Sequence, residues 1–260
     1  MNGLKESVVA SESVVGSWLS IGHAAVAEIM AMVGFDFVLI DMEHTPISLE
    51  VLQQVLHAIE ATEGETVPVV RVPDNDPVWI QRVLDTGVEN IMVPKVTTVD
   101  EARNLVDSTR YPPQGNRGIA GSRATGYGAN FEEYVTSVDD DIFTVAQIET
   151  ENGIENAGAI AATEGINALF VGPADLSGSL GVFGERDSER YVEAVRAVID
   201  SAEQQEVPVG TFGADESDVR THVEQGFDFV IAGKDAVHLS TGCQRFKDEF
   251  FDAVEQCGRR

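Results

Sequence analysis

Two acidic residues, Glu149 and Asp175, follow two consecutive apolar segments of the sequence, Ile142–Ile148 and Ala168–Val171. Each segment is predicted to be a buried strand, and a helix-like stretch separates them. Because consecutive strands of a parallel sheet end at the same edge, the two carboxylates are expected to converge there. Carboxylate oxygens are the ligands that hard divalent cations prefer, so the pair could hold such an ion. Two solvated loop acids would show the same spacing, and both interpretations stay open on spacing alone.

His44 is the histidine best placed for proton transfer, because it follows the predicted strand Phe37–Ile40. Imidazole titrates near neutral pH, and nearby acids could orient the ring. The candidate acids are Asp41, Glu43 and Asp85. A structural histidine with satisfied hydrogen bonds is the alternative.

Arg71 lies near the end of a third apolar segment, Val67–Val72. A cation among apolar neighbours is costly without a partner, so Arg71 could bind a carboxylate or an enolate oxygen. A structural salt bridge is the competing interpretation.

The segment Gly172–Asp175 has the composition of a strand-to-helix turn, and its free backbone N–H groups could hold a substrate carboxylate. A turn without a binding role would look the same.

The elements that must position these residues alternate regularly along the chain. The predicted strands are Val14–Leu19, Phe37–Ile40, Val67–Val72, Asn90–Val93, Ile142–Ile148, Ala168–Val171, Val207–Thr211 and Phe229–Ala232. The predicted helices are Ala24–Val33, Leu49–Thr62, Pro77–Thr86, Val99–Thr109, Ile154–Thr163, Glu189–Gln205, Glu216–Gln225 and Ala236–Gln256. Eight apolar strands, each followed by a helix, predict a single (β/α)₈ barrel domain over residues 1–260. A doubly wound sheet is the alternative, but eight alternations favour closure. The longest irregular segment, Tyr111–Val138, is expected to be a functional loop at the barrel ends.

The composition is strongly acidic, with 44 Asp and Glu against 17 Lys and Arg and a formal net charge of −27. Such a surface disfavours nucleic acid and anionic membranes as partners. It suggests a halophilic source, with an ordinary acidic cytosolic protein as the alternative. The first residues lack an apolar signal core, no segment approaches a membrane span, and two cysteines suit a reducing compartment. We therefore expect a cytoplasmic protein.

Seven segments, taken together, resemble the class II pyruvate-dependent aldolases of the HpcH/HpaI family. They are Phe35–His44, Val70–Pro73, Val83–Gly87, Tyr111–Pro113, Gln147–Thr150, Val171–Ser177 and Gly226–Val230. The resemblance runs in order along nearly the whole chain. It implies a (β/α)₈ barrel whose last helix packs on a neighbouring subunit, in homo-oligomers built as trimers or as trimers paired into hexamers. The implied activity is the reversible cleavage of a 4-hydroxy-2-oxoacid, of the 2-keto-3-deoxy acid type, to pyruvate and an aldehyde.

The same resemblance implies a Mg²⁺, Mn²⁺ or Co²⁺ ion held by Glu149 and Asp175. Pyruvate would bind this ion through its keto oxygen and its carboxylate. Backbone amides of the turn that contains Gly172, Ala174 and Asp175 would hold the carboxylate.

Roles for four further side chains follow from the resemblance. Gln147 and Arg71 would lie at the keto oxygen of pyruvate. Asp85 would pair with His44 in proton transfer. Arg123 corresponds to an arginine in the loop that meets the aldehyde.

One residue departs from the family pattern, since Lys95 stands where many of these aldolases carry methionine. A lysine there is more similar to the citrate lyase β-subunit and malyl-CoA lyase branch, which is the alternative enzyme. A catalytically silent binding barrel is the alternative from another class. We predict that Lys95 acts without forming a covalent bond, by pairing with an acid of the site or contacting the distal end of the substrate. The physiological aldehyde stays open among succinic semialdehyde, tartronate semialdehyde, lactaldehyde and glycolaldehyde.

Overall fold

The computed structural model describes residues 3–10 and 13–258. Eight parallel strands form a closed barrel in sequence order, and the last strand pairs with the first. The strands are β1 (Val14–Leu19), β2 (Phe37–Asp41), β3 (Val67–Arg71), β4 (Asn90–Val93), β5 (Phe143–Ile148), β6 (Ala168–Val171), β7 (Val209–Gly213) and β8 (Phe229–Lys234). The predicted (β/α)₈ barrel is confirmed, with strand ends shifted by up to two residues.

Eleven α-helices lie in the described residues, and most of them cover the outside of the barrel and connect its strands. They are α1 (Leu4–Val9), α2 (Ala24–Val33), α3 (Leu49–Ala61), α4 (Pro77–Leu84), α5 (Val99–Thr109), α6 (Phe131–Ser137), α7 (Glu151–Ala161), α8 (Pro173–Ser179), α9 (Glu189–Glu203), α10 (Glu216–Gln225) and α11 (Asp235–Gln256). A 3₁₀-helix, Val138–Asp140, follows α6. Among the described residues, none of the helices combines the length and the apolar character needed to cross a membrane.

Two apolar layers hold the barrel together. The larger layer lies between the strands and the surrounding helices, and the smaller one fills the barrel interior. Helix α1 contributes Leu4 and Val8 to the interior layer, where they pack with Phe37 and Met92. The sequence did not predict α1, because a six-residue helix with few apolar side chains has no clear helical period.

Aromatic rings in the interior lie directly over glycines of the neighbouring strand. Gly16 of β1 pairs with Phe37 of β2, and a Cβ atom at Gly16 would lie 2.3 Å from Cζ of that ring. Gly210 of β7 pairs with Phe229 of β8, and a Cβ atom there would lie 2.1 Å from the ring. The absence of a side chain on one strand therefore makes room for a large side chain on the next.

The segment predicted to be irregular from Tyr111 to Val138 ends instead in helix α6. This helix has no buried residue, so its sequence lacks the apolar stripe that would have indicated it. The irregular part is therefore shorter, from Tyr111 to Asn130, and it is anchored by the buried side chains of Tyr111 and Arg117.

The last helix, α11, makes its main contacts with β1 and β8. Most of its large apolar side chains face solvent within the chain, including Leu239 (61% exposed), Phe246 (73%), Phe250 (62%) and Phe251 (57%). Both cysteines, Cys243 and Cys257, are also exposed and unpaired. A helix with this much exposed apolar surface is a candidate for packing against another subunit.

Candidate active site

Polar side chains at the carboxyl ends of the strands surround a cavity of about 230 Å³. Six of the residues predicted from the sequence line it: His44, Arg71, Gln147, Gly172, Ala174 and Asp175. A larger cavity of about 540 Å³ lies at the opposite end of the barrel, beside Val209 and Asp228 at the starts of β7 and β8. Because barrels of this type place their chemistry at the carboxyl ends of the strands, the smaller cavity is the candidate site.

Arg71 is buried and held in one orientation by two acids. Its Nε and Nη2 atoms lie 3.0 and 2.9 Å from Oδ1 of Asp41, and its Nη1 atom lies 2.9 Å from Oε2 of Glu43. The guanidinium group also stacks on Trp18, 4.5 Å from the ring centroid. Such a fixed guanidinium can donate hydrogen bonds to a substrate oxygen without further reorganisation. The predicted salt bridge and the predicted binding role are therefore compatible.

The carboxylate of Asp41 fixes the orientation of the Arg71 guanidinium group. Burial alone would raise the pKa of Asp41, but the hydrogen bond and the charge of Arg71, together with backbone hydrogen bonds from His44 and Glu43, lower it. The backbone N–H groups of Glu43 and His44 also donate to Oδ1 of Asp41, at 3.0 and 3.3 Å. Asp41 thus stays ionised and orders both the arginine and the loop that carries His44.

Glu149 lies almost fully buried beside Gln147, whose Nε2 atom donates to its Oε2 atom at 2.7 Å. Burial raises the pKa of Glu149 to about 7, and the negative charges of Asp175 and Glu43 act in the same direction. Arg71 opposes this shift. The site therefore holds a carboxylate that lacks sufficient positive charge around it.

A divalent cation fits this set of donors. Asp175 is exposed to the cavity, and Oε1 of Gln147 is buried with no hydrogen-bond donor among the residues that the structure describes. Across the same residues, no cluster of three or more His, Cys, Asp or Glu side chains is placed to hold a metal. A site with two carboxylates suits an ion such as Mg²⁺, which keeps several water or substrate oxygens as ligands.

Lys95 pairs with an acid of the site, as one of its two predicted roles requires. Its Nζ atom donates to Oε1 of Glu43 at 2.9 Å, and its backbone N–H donates to Oε1 of Glu149 at 3.0 Å. The hydrogen bond to Glu43 raises the pKa of Lys95, and the charges of Glu43, Glu149 and Asp175 support the shift against a smaller effect of burial. A more firmly protonated amine is a poorer nucleophile, which argues against a Schiff base at this position.

His44 lies at the mouth of the cavity, with its side chain 59% exposed. Its Nε2 atom is 3.6 Å from Oε1 of Glu43. This distance is longer than a hydrogen bond, so the ring can reorient toward a ligand in the cavity. The position suits a residue that exchanges a proton with bound substrate.

The turn between β6 and α8 supplies backbone donors. Leu176 makes the first helical hydrogen bond of α8, to the carbonyl oxygen of Gly172. The preceding N–H groups, on Ala174 and Asp175, therefore have no partner within the helix, and both residues are exposed. They are positioned to meet an anion in the cavity.

Gly172 leaves space that the two site side chains occupy. A Cβ atom there would lie 2.7 Å from Nε2 of Gln147 and 2.8 Å from Oε2 of Glu149. We expect Gly172→Ala to displace both groups and to weaken Mg²⁺ binding by about 10-fold or more, the usual effect of disturbing groups around a metal. Gly178→Ala in the same helix is the control, since its Cβ would meet only Cδ2 of Phe183 at 3.8 Å. Titration calorimetry on metal-free protein checks this, and equal affinities of the two variants would contradict it.

Two predicted site residues, Asp85 and Arg123, lie outside the cavity of their own chain. Asp85 follows α4, and because that helix runs antiparallel to the strands, its end points toward the amino ends of the barrel strands. Its Oδ1 atom accepts hydrogen bonds from Arg117 Nη2 and Ser122 Oγ, both at 3.4 Å. Arg123 donates to His57 Nε2 at 3.1 Å and to the carbonyl oxygen of Thr86 at 2.6 Å. Within one chain the structure does not bring Asp85 to His44.

The sequence did not identify several residues that line the cavity. They include Trp18, Phe170, Phe212, Arg186 and Lys234. Trp18 lies near the end of β1, so the rule that found Glu149 could have found it, whereas Lys234 lies two residues beyond the predicted end of β8. Arg186 belongs to the connection between α8 and α9, where no periodic pattern places a side chain.

Comparison with known proteins identifies the family of the chain. The family model described as HpcH/HpaI aldolase/citrate lyase matches residues 15–241. The 5-keto-4-deoxy-D-glucarate aldolase of Escherichia fergusonii is 35% identical over 249 residues, which is 96% of each chain. The crystal structure of an HpcH/HpaI aldolase/citrate lyase family protein from Burkholderia cenocepacia J2315 is 34% identical, with a TM-score of 0.93 over 96% of this chain and 99% of that one.

A more distant structure shares the fold alone. The citrate lyase β-subunit from M. tuberculosis, complexed with oxaloacetate and magnesium, is 17% identical, with a TM-score of 0.58 over 89% of this chain and 95% of that one. The family match and the two relatives above 30% identity settle the classification. The chain belongs to the HpcH/HpaI aldolase/citrate lyase family.

Proposed function

We propose that the protein is a metal-dependent carbon–carbon lyase, an aldolase that reversibly cleaves a 4-hydroxy-2-oxoacid to pyruvate and an aldehyde. The observation that carries the proposal is the fixed Arg71 guanidinium, which lines one cavity together with Gln147 and Asp175 and with Glu149 packed behind them. Cleavage leaves the enolate of pyruvate, and stabilising that negative charge is the main catalytic demand. The family membership supports the same reaction class.

Each residue has a role in this proposal. Glu149 and Asp175 would hold a divalent ion, Mg²⁺ or Mn²⁺, which would supply Lewis-acid polarisation of the 2-oxo group. Arg71 donates hydrogen bonds to the same oxygen as it becomes an enolate, and the backbone amides of Ala174 and Asp175 bind the substrate carboxylate.

Proton transfer falls to His44. In cleavage it takes the proton of the 4-hydroxyl group, and in the reverse direction it takes a proton from the pyruvate methyl group.

Two alternatives have less support. The amine of Lys95 pairs with Glu43 and is therefore not free to bind a CoA phosphate, which weakens the malyl-CoA lyase alternative. A catalytically silent barrel would not need a buried arginine that lines the cavity and an under-compensated carboxylate packed behind the lining residues.

The first test is exchange of the pyruvate methyl protons with deuterium, followed by NMR. We expect exchange to require Mg²⁺ or Mn²⁺ and to stop in a chelator, and Glu149→Gln to weaken metal binding measured by calorimetry by about 10-fold or more. Glu151→Gln is the control, because Glu151 is a half-exposed acid that pairs with Arg190 on the outside of the barrel. Full exchange by Glu149→Gln in chelator would contradict the proposal. A screen of 4-hydroxy-2-oxoacids for pyruvate release then identifies the aldehyde.

We also infer that the protein assembles through α11. Helix α2 exposes the apolar side chains of Ile29, Met32 and Val33, and α11 exposes its phenylalanines. In a barrel of this type the last helix normally covers the outside of its own barrel. Packing of α11 against a neighbouring subunit would bury both surfaces, as in a trimer or hexamer. Because Asp85 lies away from His44 of its own chain, a pairing of the two requires Asp85 of the partner subunit.

A further inference from the structure

The guanidinium group of Arg117 is enclosed by the protein and yet has few hydrogen-bond partners. Its side chain is fully buried, with the ring centroids of Tyr111 and Tyr134 at 4.6 and 5.8 Å. Its Nη2 atom lies 3.4 Å from Oδ1 of Asp85, whereas Nε and Nη1 are buried with no acceptor among the residues that the structure describes. Replacing such a buried charge with apolar groups is commonly neutral or stabilising, so stability alone does not account for this arginine.

The loop before α6 fixes the position of Arg117 from both sides. Its backbone N–H donates to the carbonyl oxygen of Arg110, after α5, at 2.9 Å. Gly115 makes this close approach possible, since a Cβ atom there would lie 2.5 Å from the same carbonyl oxygen. The next backbone N–H, on Gly118, donates to Oε1 of Gln81 on α4 at 3.3 Å. The loop therefore holds the arginine between α4 and α5.

The same loop surrounds Asp85. The Oδ1 atom of Asp85 accepts hydrogen bonds from Arg117 and from Ser122 Oγ, and its carbonyl oxygen accepts one from the N–H of Ala124 at 3.3 Å. Within the described ranges, no hydrogen bond reaches Oδ2, and the side chain is 19% exposed. The loop thus fixes one oxygen of the carboxylate and leaves the other available to a further donor.

We propose that Arg117 is a positioning residue for proton transfer. It fixes Oδ1 of Asp85 so that Oδ2 can accept a hydrogen bond from His44 of the partner subunit. A carboxylate that orients a catalytic imidazole must be held at the correct position to be effective. Because Arg117 is fully buried, it acts through Asp85 and does not touch the substrate. This role rests on the proposed function, including the pairing of Asp85 and His44 across subunits.

The first test replaces Arg117 with methionine, which keeps a long side chain between the two tyrosine rings but removes the charge and the donors. We expect the exchange of pyruvate methyl protons at saturating pyruvate to slow by about 10- to 100-fold, the scale of misplacing a catalytic group. The Kd of the Mg²⁺-loaded protein for pyruvate should not change, since Arg117 lies outside the cavity that binds it. NMR and calorimetry measure the two quantities. Arg82→Met on the exposed side of α4 is the control and should match wild type in both.

A double variant separates positioning from a general loss of structure. If Arg117 acts only through Asp85, adding Arg117→Met to Asp85→Asn should slow exchange by at most about twofold more, because the effects of residues in contact are not additive. Arg117→Lys keeps a positive charge and should restore part of the rate in the wild-type background but not in Asp85→Asn. If Arg117→Met does not fold, Arg117→Lys serves for the same comparison.

Mixed oligomers show on which subunit Arg117 acts. Arg117→Met should regain exchange when mixed with His44→Ala, because that chain supplies an intact Asp85 and Arg117 to the wild-type His44. It should not regain exchange when mixed with Asp85→Ala, since no site then contains a correctly held Asp85.

The outcomes separate this role from the proposed function. Exchange by Arg117→Met at the wild-type rate, or a full further loss in the double variant, would overturn the positioning role alone. Wild-type exchange by Asp85→Asn would also overturn it and would leave the metal-dependent site in place. Absence of exchange in Mg²⁺-loaded wild-type protein would instead overturn the proposed function and this role with it.

Discussion

Replacing Arg71 with alanine is expected to slow both pyruvate methyl-proton exchange and substrate cleavage by about 100-fold or more, the scale of losing one donor to a developing oxyanion. The guanidinium group lines the cavity and is fixed by Asp41 and Glu43, so alanine removes a rigidly held donor from the cavity. NMR exchange measurements and pyruvate release check the two rates. Exchange at the wild-type rate would exclude Arg71 from enolate stabilisation.

Arg71→Ala also leaves the buried Asp41 without its cation and Glu43 with Lys95 alone, so a second variant is needed. Arg71→Lys keeps a positive charge but loses the planar group that bonds both acids, and an intermediate rate is expected. Arg190→Ala is the control, because that side chain is 58% exposed and pairs with Glu151 on the surface. Circular dichroism and the melting temperature separate a loss of catalysis from a loss of fold.

Mixed oligomers of His44→Ala and Asp85→Ala are expected to regain activity that neither variant has alone. Each substitution should lower cleavage by about 10²- to 10⁴-fold, the usual contribution of a proton-transfer group. If Asp85 of the partner subunit pairs with His44, the mixed oligomer contains an intact site. That site combines His44 of the Asp85→Ala chain with Asp85 of the His44→Ala chain. Co-expression with two different affinity tags isolates the mixed species, and the pyruvate release rate measures the rescue.

The control for this experiment is the mixture of His44→Ala with Arg71→Ala. Both residues line the cavity of the same chain, so each cavity in the mixture keeps at least one defect and no rescue is expected. Absence of rescue with Asp85→Ala, when mixed oligomers do form, would show that Asp85 does not act across subunits.

The barrel was predictable because its strands are short, apolar and regularly spaced. Strand ends also located His44, Arg71, Gln147 and Asp175, since parallel strands bring their ends to one edge. The pairing of Asp85 with His44 was implied by the family resemblance, and no rule for the ends of helices shows from the sequence that α4 carries Asp85 to the other end of its own barrel.

Two residues that line the cavity were harder to place, one at the irregular end of a strand and one outside the strands. Lys234 depends on a bulge between β1 and β8, and Arg186 depends on an ion pair with Asp218, which lies far away in the sequence. Neither feature leaves a periodic signal. Helices α1 and α6 were missed for a related reason, because short helices with few buried side chains have no distinct apolar stripe.

The two glycine–phenylalanine pairs of the barrel interior limit which substitutions can occur at these positions in the family. Because Phe37 fills the space above Gly16, and Phe229 fills the space above Gly210, each position limits the size of the other. A larger residue at either glycine is tolerable only after the facing ring has become smaller, and losing a ring first leaves a costly cavity. The order of substitutions therefore matters, and these pairs are expected to change together or to persist as pairs.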